Sequence, residues 1–533
     1  MRRLLAAAVP TRLRDRLRGL HPEHAVAARA FDRAFYLETY PDVGEAGADP
    51  LDHFMTHGWH EGRDPSAEFS VRAYLEAFPE VAESGINPFV HWLTHGRPRA
   101  VLAEHPLGFR YEIVERLGTL DARIAAAVGG AALRLGDEAM LARALGESRG
   151  GLDRLHVTFS HDDFTANLGG VQLVLKREAT QLAEQGRDHL HLYPAKPWPV
   201  VRPADATGGL GVVWNGRAVG VHQTATVIRA LGAAAGDQPV AGRSFAIHSL
   251  LGHDADETAD ILAAAGLTDG AFWLHDFASL CAGFHLLRND VEDCAAPPPG
   301  SAACGVCVYG PWRARHLEAH ARLFERLRLT VISPSESALE LWRAATDLPV
   351  AATVVHPHAA LTPRGPAPEP RADRPFRLAY AGFPAAHKGW PVFRRLALRH
   401  AGDPRYEFLH LGARPEPNLG LPFQQVIAGP DQPLAMQAAL EAHEADAVVV
   451  WPLCRETFSF VAYEAVAAGC AVITGPDSGN VAAFVAASGQ GQVLDEAALD
   501  AAFETGAILD LSRARRRPQL HDIAFSTLPA VPA

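Results

Sequence analysis

The chain has 533 residues, of which 48% are hydrophobic and 21% charged, enough apolar material for two or three domains with their own cores and too much for a disordered polymer. Its net charge is −12, with 49 basic residues against 61 acidic ones, and no zinc finger or other nucleic-acid module occurs, which argues against a general nucleic-acid binder. Six cysteines in such a length make no disulfide framework, and an intracellular, cytoplasmic setting fits best.

Residues 1–30 read as a basic amphipathic segment. Leu13, Leu17 and Leu20 recur at helical spacing among Arg12, Arg14, Arg16 and Arg18, so a helix here can lie on an anionic membrane surface, with a solvated terminus as the alternative. The apolar run 4–10 is too short to span a bilayer. Residues 31–100 hold an internal duplication: Tyr36/Tyr74, Pro41/Pro79, Gly47/Gly85, Pro50/Pro88, His53/His91 and Gly58/Gly96 pair at a spacing of 38. Each unit reads as a helix, a turn at the Gly and Pro positions, and a second helix starting near Pro50 or Pro88. The aromatic residues Tyr36, Tyr74, Phe54 and Trp92 are expected to pack one unit on the next, and the repeated His53 and His91 to serve packing rather than a metal. Residues 101–150 read as a helical connector broken by Gly129, Gly130 and Gly150.

From 151 the pattern becomes strand, glycine loop, helix. Residues 155–160 and 189–194 read as parallel strands around a helix stopped by Gly186, and Gly169 and Gly170 precede that helix, where a tight turn and unpaired N–H groups can meet phosphate. Neither a dinucleotide fingerprint nor a P-loop is present. Further strands are expected at 210–215, 244–250 and 271–277, the last delivering His275 and Asp276 at its C-terminal end, where open α/β sheets hold ligands. The bland reading makes His275 structural and Asp276 a helix cap. Cys281, Cys294, Cys304 and Cys307 then follow in a C-x12-C-x9-C-x2-C arrangement over 281–307. A structural Zn2+ stapling a Pro- and Gly-rich loop is the leading reading, with His285 in reserve; a redox pair, an iron–sulfur cluster or scattered thiols are the alternatives.

The first lobe is taken as 151–365, with a linker rich in Pro and Arg ending it, and the second as 366–533. Strands are expected at 376–382, 406–412, 426–429 and 445–453, and two such lobes point to a cleft between them. Glu456 falls in the loop after the last of these strands. Ser459 can cap the helix that follows, and Glu464 lies inside its almost uninterrupted apolar stretch, where an unpaired charge is costly. Two carboxylates and a helix N-terminus at strand ends can grip a nucleotide-sugar, the N–H groups on phosphates and the carboxylates on hydroxyls.

The segment 456–480 resembles the E-x7-E element of family 4 glycosyltransferases, which have the GT-B fold, and GGVQ at 169–172, His275, PSE at 334–336 and HKG at 387–389 extend the resemblance over roughly 155–485. It implies an α/β protein with two Rossmann-like lobes facing a cleft, preceded by the small all-helical repeat module. It also implies transfer of a sugar from a nucleotide-sugar donor to a hydroxyl of a glycan, lipid-linked or protein acceptor, with retention at the anomeric carbon. By the resemblance Glu464 binds ribose, Glu456 the donor sugar near the reacting centre, Lys388 the diphosphate and His275 the donor sugar. Gly169 and Gly170 approach the donor phosphates or the acceptor, and the amides around Phe458 and Ser459 complete the phosphate site. A nucleotide-sugar epimerase on the same fold, or a non-catalytic scaffold of a glycan assembly complex, are the other readings. The repeats resemble a helical module found ahead of bacterial sugar-transferring domains, which implies an adaptor for assembly partners at the inner membrane. Many relatives carry an arginine where this chain has Phe383, so the missing charge is expected from Arg377, His387 or an arginine elsewhere. No Asp-x-Asp stands in the usual strand-end context, so no catalytic Mg2+ is implied.

Overall fold

The computed structural model describes residues 22–66, 69–95, 107–130, 132–149, 151–236, 241–370, 374–416, 421–429 and 432–528. The basic amphipathic stretch before residue 22 lies outside them, as do Gly96 and Gly150. The chain divides into two compact units, Met1–Tyr111 with Arg414–Pro422, and Glu112–Ala413 with Phe423–Ala533.

In the first unit the duplication is visible as chemistry. Asp49 accepts hydrogen bonds from the amides of Leu51 and Asp52 at the start of the helix Pro50–His53, and Asn87 does the same for Phe89 and Val90 ahead of Pro88–Thr94. Tyr36 is hydrogen-bonded to His53 Nδ1 at 3.0 Å and Tyr74 to His91 Nδ1 at 2.8 Å, so each histidine is engaged by its own repeat's tyrosine. Where a turn was expected, the helices Pro41–Glu45 and Pro79–Ser84 form, because proline at the first helical position fits the required φ and has no N–H to leave unpaired. Tyr36, Phe54, Tyr74 and Phe89 are buried in one core.

The second unit is built on two doubly wound sheets. In chain order the strands are β1 (Leu155–Phe159), β2 (Asp188–Pro194), β3 (Leu210–Trp214), β4 (Arg217–His222), β5 (Ser244–Ile247), β6 (Asp269–Trp273), β7 (Leu287–Arg288), β8 (Glu292–Asp293), β9 (Arg328–Ser333), β10 (Ala352–Val355), β11 (Ala359–Pro366), β12 (Phe376–Ala381), β13 (Tyr406–Gly412), β14 (Phe423–Gln425), β15 (Ala447–Val449), β16 (Ala471–Thr474), β17 (Gly491–Val493) and β18 (Gln519–Phe525). The first sheet runs β10-β9-β6-β5-β1-β2-β3-β4, parallel except for the β2-β3-β4 edge. The second, β14-β13-β12-β15-β16-β17, is parallel throughout. Buried Val, Leu, Ile and Phe fill the strands on both faces, as parallel sheets covered by helices require. These are two Rossmann-like lobes.

Three details depart from the sequence reading. Asn215 and Gly216, both at positive φ, close a hairpin that adds the unexpected β4. The anticipated linker instead forms β11, paired antiparallel with β18 from the far end of the chain, so the two lobes are tied by a ribbon. The strand expected at 426–429 is displaced to Phe423–Gln425.

Candidate functional site

Strand order locates the sites. Renumbered within the second lobe, the strands run 3-2-1-4-5-6, with the reversal between β12 and β15, and ligands bind in the crevice beyond strand ends at such a reversal. The loop after β12 carries Lys388 and the loop after β15 carries Glu456, and they meet: Lys388 Nζ donates to Glu456 Oε1 at 2.5 Å. Burial alone pulls the Lys388 ammonium down, but the charge of Glu456 and the hydrogen bond hold it above its ordinary value. The lysine is half exposed, free to turn to an incoming anion.

Two glycines allow that approach. Gly389 has φ of 83°, and a Cβ there would stand 1.9 Å from the Trp451 carbonyl oxygen; Gly479 has φ of 62°, and its Cβ would lie 2.7 Å from the Glu456 carbonyl. Both are close-packed points in the left-handed region that only glycine occupies readily. The Asn480 amide donates to the Glu456 carbonyl at 2.8 Å, fixing the loop.

Ser459 caps the helix Phe460–Ala467, its Oγ accepting from the Ala462 amide. Glu464 sits in the second turn of that helix, 9% exposed, and among the described residues its carboxylate has no hydrogen-bond or ion-pair partner. Burial pushes its acid up to about 8. A carboxylate left in this condition calls for a ligand that brings donors.

The first lobe meets this loop directly. Thr457 Oγ1 donates to the His275 carbonyl at 3.0 Å, and Gly170 lies against the Phe460 ring. His275 follows β6, stacked on Trp273 and His358, and His358 in turn contacts Phe458 and Phe460. Behind it runs a chain that the sequence reading missed: His275 Nε2 to His248 Nδ1 at 2.8 Å, and His248 Nε2 to Glu178 Oε2 at 3.0 Å. Glu178 is buried and also accepts from Thr158 at 2.7 Å. Burial works against its charge, but His248 and His156 outweigh it and hold the carboxyl well below its ordinary range. Burial, then His248, holds His275 neutral. Asp276 caps no helix; it accepts from the Ala278 amide in a turn, and burial raises it to about 6. Gly169 is extended at φ 166° and packs beside Gln172, which donates to both oxygens of Asp162.

Two candidates for the missing charge fail. Arg377 lies at the opposite end of β12, held by Glu407 and the His443 carbonyl. His387 is driven down to about 4 by burial and stays neutral. Arg455, next to Glu456, is gripped by Asp293 of the first lobe through contacts of 2.7–3.0 Å.

The four cysteines are free thiols lining one cavity with Arg288 and Arg313. As they stand, no group of three or more His, Cys, Asp or Glu side chains among the described residues is arranged to hold a metal ion. No described helix is long and apolar enough to cross a membrane.

No protein-family model matches the chain, and no curated protein matches it. Solved structures are similar at low identity. Sucrose-phosphate synthase from Thermosynechococcus elongatus is 17% identical, covering 68% of this chain and 91% of its own, with a TM-score of 0.43. HepE from Anabaena in complex with UDP-glucose is 12% identical, covering 68% and 93%, at 0.39. WaaG, a glycosyltransferase involved in lipopolysaccharide biosynthesis, is 13% identical, covering 68% and 94%, at 0.39.

Proposed function

We propose that this protein is a glycosyltransferase that moves a sugar from a nucleotide-sugar donor to an acceptor hydroxyl in polysaccharide or surface-glycan assembly, with retention at the anomeric carbon. The observation that carries the reading is the crevice at the strand reversal of the second lobe. It holds a lysine paired with a glutamate, and the capped helix leading from it buries a second glutamate that has no partner among the described residues. A diphosphate takes Lys388 and the amides at the start of the helix Phe460–Ala467. Glu456, released from the lysine, accepts from hydroxyls of the donor sugar. Glu464 accepts from the ribose hydroxyls, which supply the donors it lacks. His275, held by His248 and Glu178 and joined through its carbonyl to Thr457 of the second lobe, meets the donor sugar.

Chemistry then needs little covalent participation from the protein. The acceptor hydroxyl attacks the anomeric carbon as the nucleoside diphosphate departs, its proton passing to the leaving phosphate oxygen, and Lys388 with the helix N-terminus stabilises the charge that develops there. The reading places the protein in the cytoplasm, at the inner membrane where its assembly partners work, with the repeats as the adaptor.

A calorimetric screen of nucleotide-sugars on the full chain tests this. One donor class is expected to bind the parent, with affinity lost in Glu464→Ala and in Lys388→Ala, and acceptor-dependent release of nucleoside diphosphate is expected with it. Absence of binding to the parent, or variants that bind as well as the parent, would sink the assignment. Epimerised free donor formed without acceptor would replace it with the epimerase reading.

A further inference from the structure

Cys281, Cys294, Cys304 and Cys307 come from separate turns of the first lobe's insertion, yet they line one cavity of about 20 Å³. That is room for about one water-sized sphere. Beside them lies Arg313, only 5% exposed, its Nε donating to the Leu280 carbonyl at 3.2 Å and its Nη1 to Cys304 Sγ at 3.0 Å. Among the described residues no carboxylate pairs with it. A guanidinium keeps its charge in any environment, so one buried this deeply calls for negative charge beside it. The four thiols bordering the same cavity are the groups at hand to supply it. A divalent cation bound by the sulfurs ionises them outright.

The backbone makes the same demand independently. Leu286, Asn289, Asp290, Ala295 and Ala296 all have φ between 47° and 62°, five of the eight non-glycine residues in that region in the described chain. Regular structure here is confined to the two-residue strands β7 and β8 and the helical turn Ala302–Gly305. Several residues in a disfavoured conformation persist together only where something else determines the loop.

We infer that the four cysteines form a structural tetrathiolate zinc site, and that this staple sets the position of the loops carrying Glu456 and Lys388. The four thiols already border one cavity. Four thiolates around Zn2+ leave two negative charges in excess, and Arg313 offsets one of them. The route to the second lobe is short. Asp293, next to Cys294, holds Arg455 through both carboxylate oxygens, and Arg455 is next to Glu456. His285, between the first two cysteines, stacks on His387 at 4.9 Å, and His387 is next to Lys388. This second half rests on the proposed role of Lys388 and Glu456; the metal site does not.

Metal analysis of the full chain, purified without added metal, is expected to find about one zinc per chain. Cys281→Ser and Cys304→Ser should lose it, while Cys470→Ser, whose thiol donates to the Ala445 carbonyl in the second lobe, should keep it. Should the serine variants fail to fold, the parent stripped by chelator and refilled with Co2+ is expected to show thiolate-to-cobalt absorption at about one equivalent. Iron in place of zinc, or neither metal nor cobalt bands, overturns the site. Asp293→Asn should retain zinc and weaken nucleotide-sugar binding about tenfold. Zinc retained with binding unchanged overturns the link between staple and loop. A parent that takes zinc and binds no donor overturns the donor reading and the link together, and leaves the metal site standing.

Discussion

Replacing Glu464 by glutamine separates a ligand-binding carboxylate from a structural one, because the two make opposite demands on stability. Burial raises the acid from an ordinary value of 4.5 to about 8. In the unfolded chain the group ionises near its ordinary value, so between these two pH values unfolding releases a proton that the folded protein keeps. Stability is unaffected below the ordinary value, falls as pH rises through the interval, and levels off above the folded value. Each tenfold difference in proton affinity corresponds to about 1.4 kcal/mol, which gives a penalty of about 3 kcal/mol at pH 7 and about 5 kcal/mol when complete. Glutamine has the same shape and no charge to lose, so Glu464→Gln should equal the parent in melting temperature near pH 4.5 and exceed it increasingly toward pH 8. Melting temperatures of parent and variant compared at each pH are the right readout for a chain of several lobes, which does not unfold in two states.

The same substitution should weaken donor binding at least tenfold, since an amide cannot accept ribose hydroxyls as a carboxylate does. Donor binding to the parent should release up to about one proton at pH 7, as the hydroxyls draw the acid into its ionised form. Calorimetry in two buffers of different ionisation enthalpy measures that release, and Glu464→Gln should abolish it. A variant less stable than the parent at pH 8 would refute the reasoning, for it would mean that the carboxylate is ionised and paired inside the folded protein. More stable but inactive is the signature expected of a group kept for a ligand.

Three further outcomes are expected. Lys388→Met should reduce affinity for nucleoside diphosphate by about tenfold to a hundredfold and flatten its dependence on salt, read by titration at two ionic strengths. Gly389→Ala should lower the melting temperature and abolish donor binding together, because the new Cβ meets the Trp451 carbonyl at 1.9 Å and φ of 83° suits alanine poorly. Glu178→Gln should lower kcat more than it changes KM and shift the ¹⁵N resonances of His248 and His275. A change in stability without those shifts would make the buried carboxylate structural only.

The parallel strands were legible because β1, β6, β12 and β13 are short apolar runs bounded by loops, and the helices between them have clear starts and stops. The candidate site stood out for a different reason: a charge such as Glu464 in an apolar helix contradicts its surroundings. What escaped the sequence depends on distant pairing. β11 reads as a Pro- and Arg-rich linker and becomes a strand only because β18 pairs with it from far along the chain. Glu178 sits in a stretch reading Lys-Arg-Glu, which looks like a solvated helix face. It is buried because His248 arrives from the end of β5 and His156 from β1. Asn215–Gly216, by contrast, was a local turn signal that β3 alone did not make obvious.

Phe383 gives the sharpest remaining test, because it concerns a residue the site lacks. It stands just beyond β12 at the strand reversal, 54% exposed, with its carbonyl accepting from the Tyr380 hydroxyl. That bond is made by the backbone and survives any side chain at 383. An exposed position admits a guanidinium with little desolvation cost, so Phe383→Arg should leave the melting temperature within about 1 °C of the parent. On the proposed function Lys388 meets the diphosphate with helix amides, and the two arginines nearest by sequence are engaged elsewhere, Arg377 with Glu407 and Arg455 with Asp293. One charge-assisted hydrogen bond to phosphate is worth roughly 1.5 kcal/mol, so the variant should bind nucleotide-sugar about tenfold more tightly and lose that gain as salt is raised. If affinity is unchanged at low salt, the diphosphate does not lie between the β12 loop and the helix Phe460–Ala467, and the roles given to Lys388 and to the helix amides fall with it.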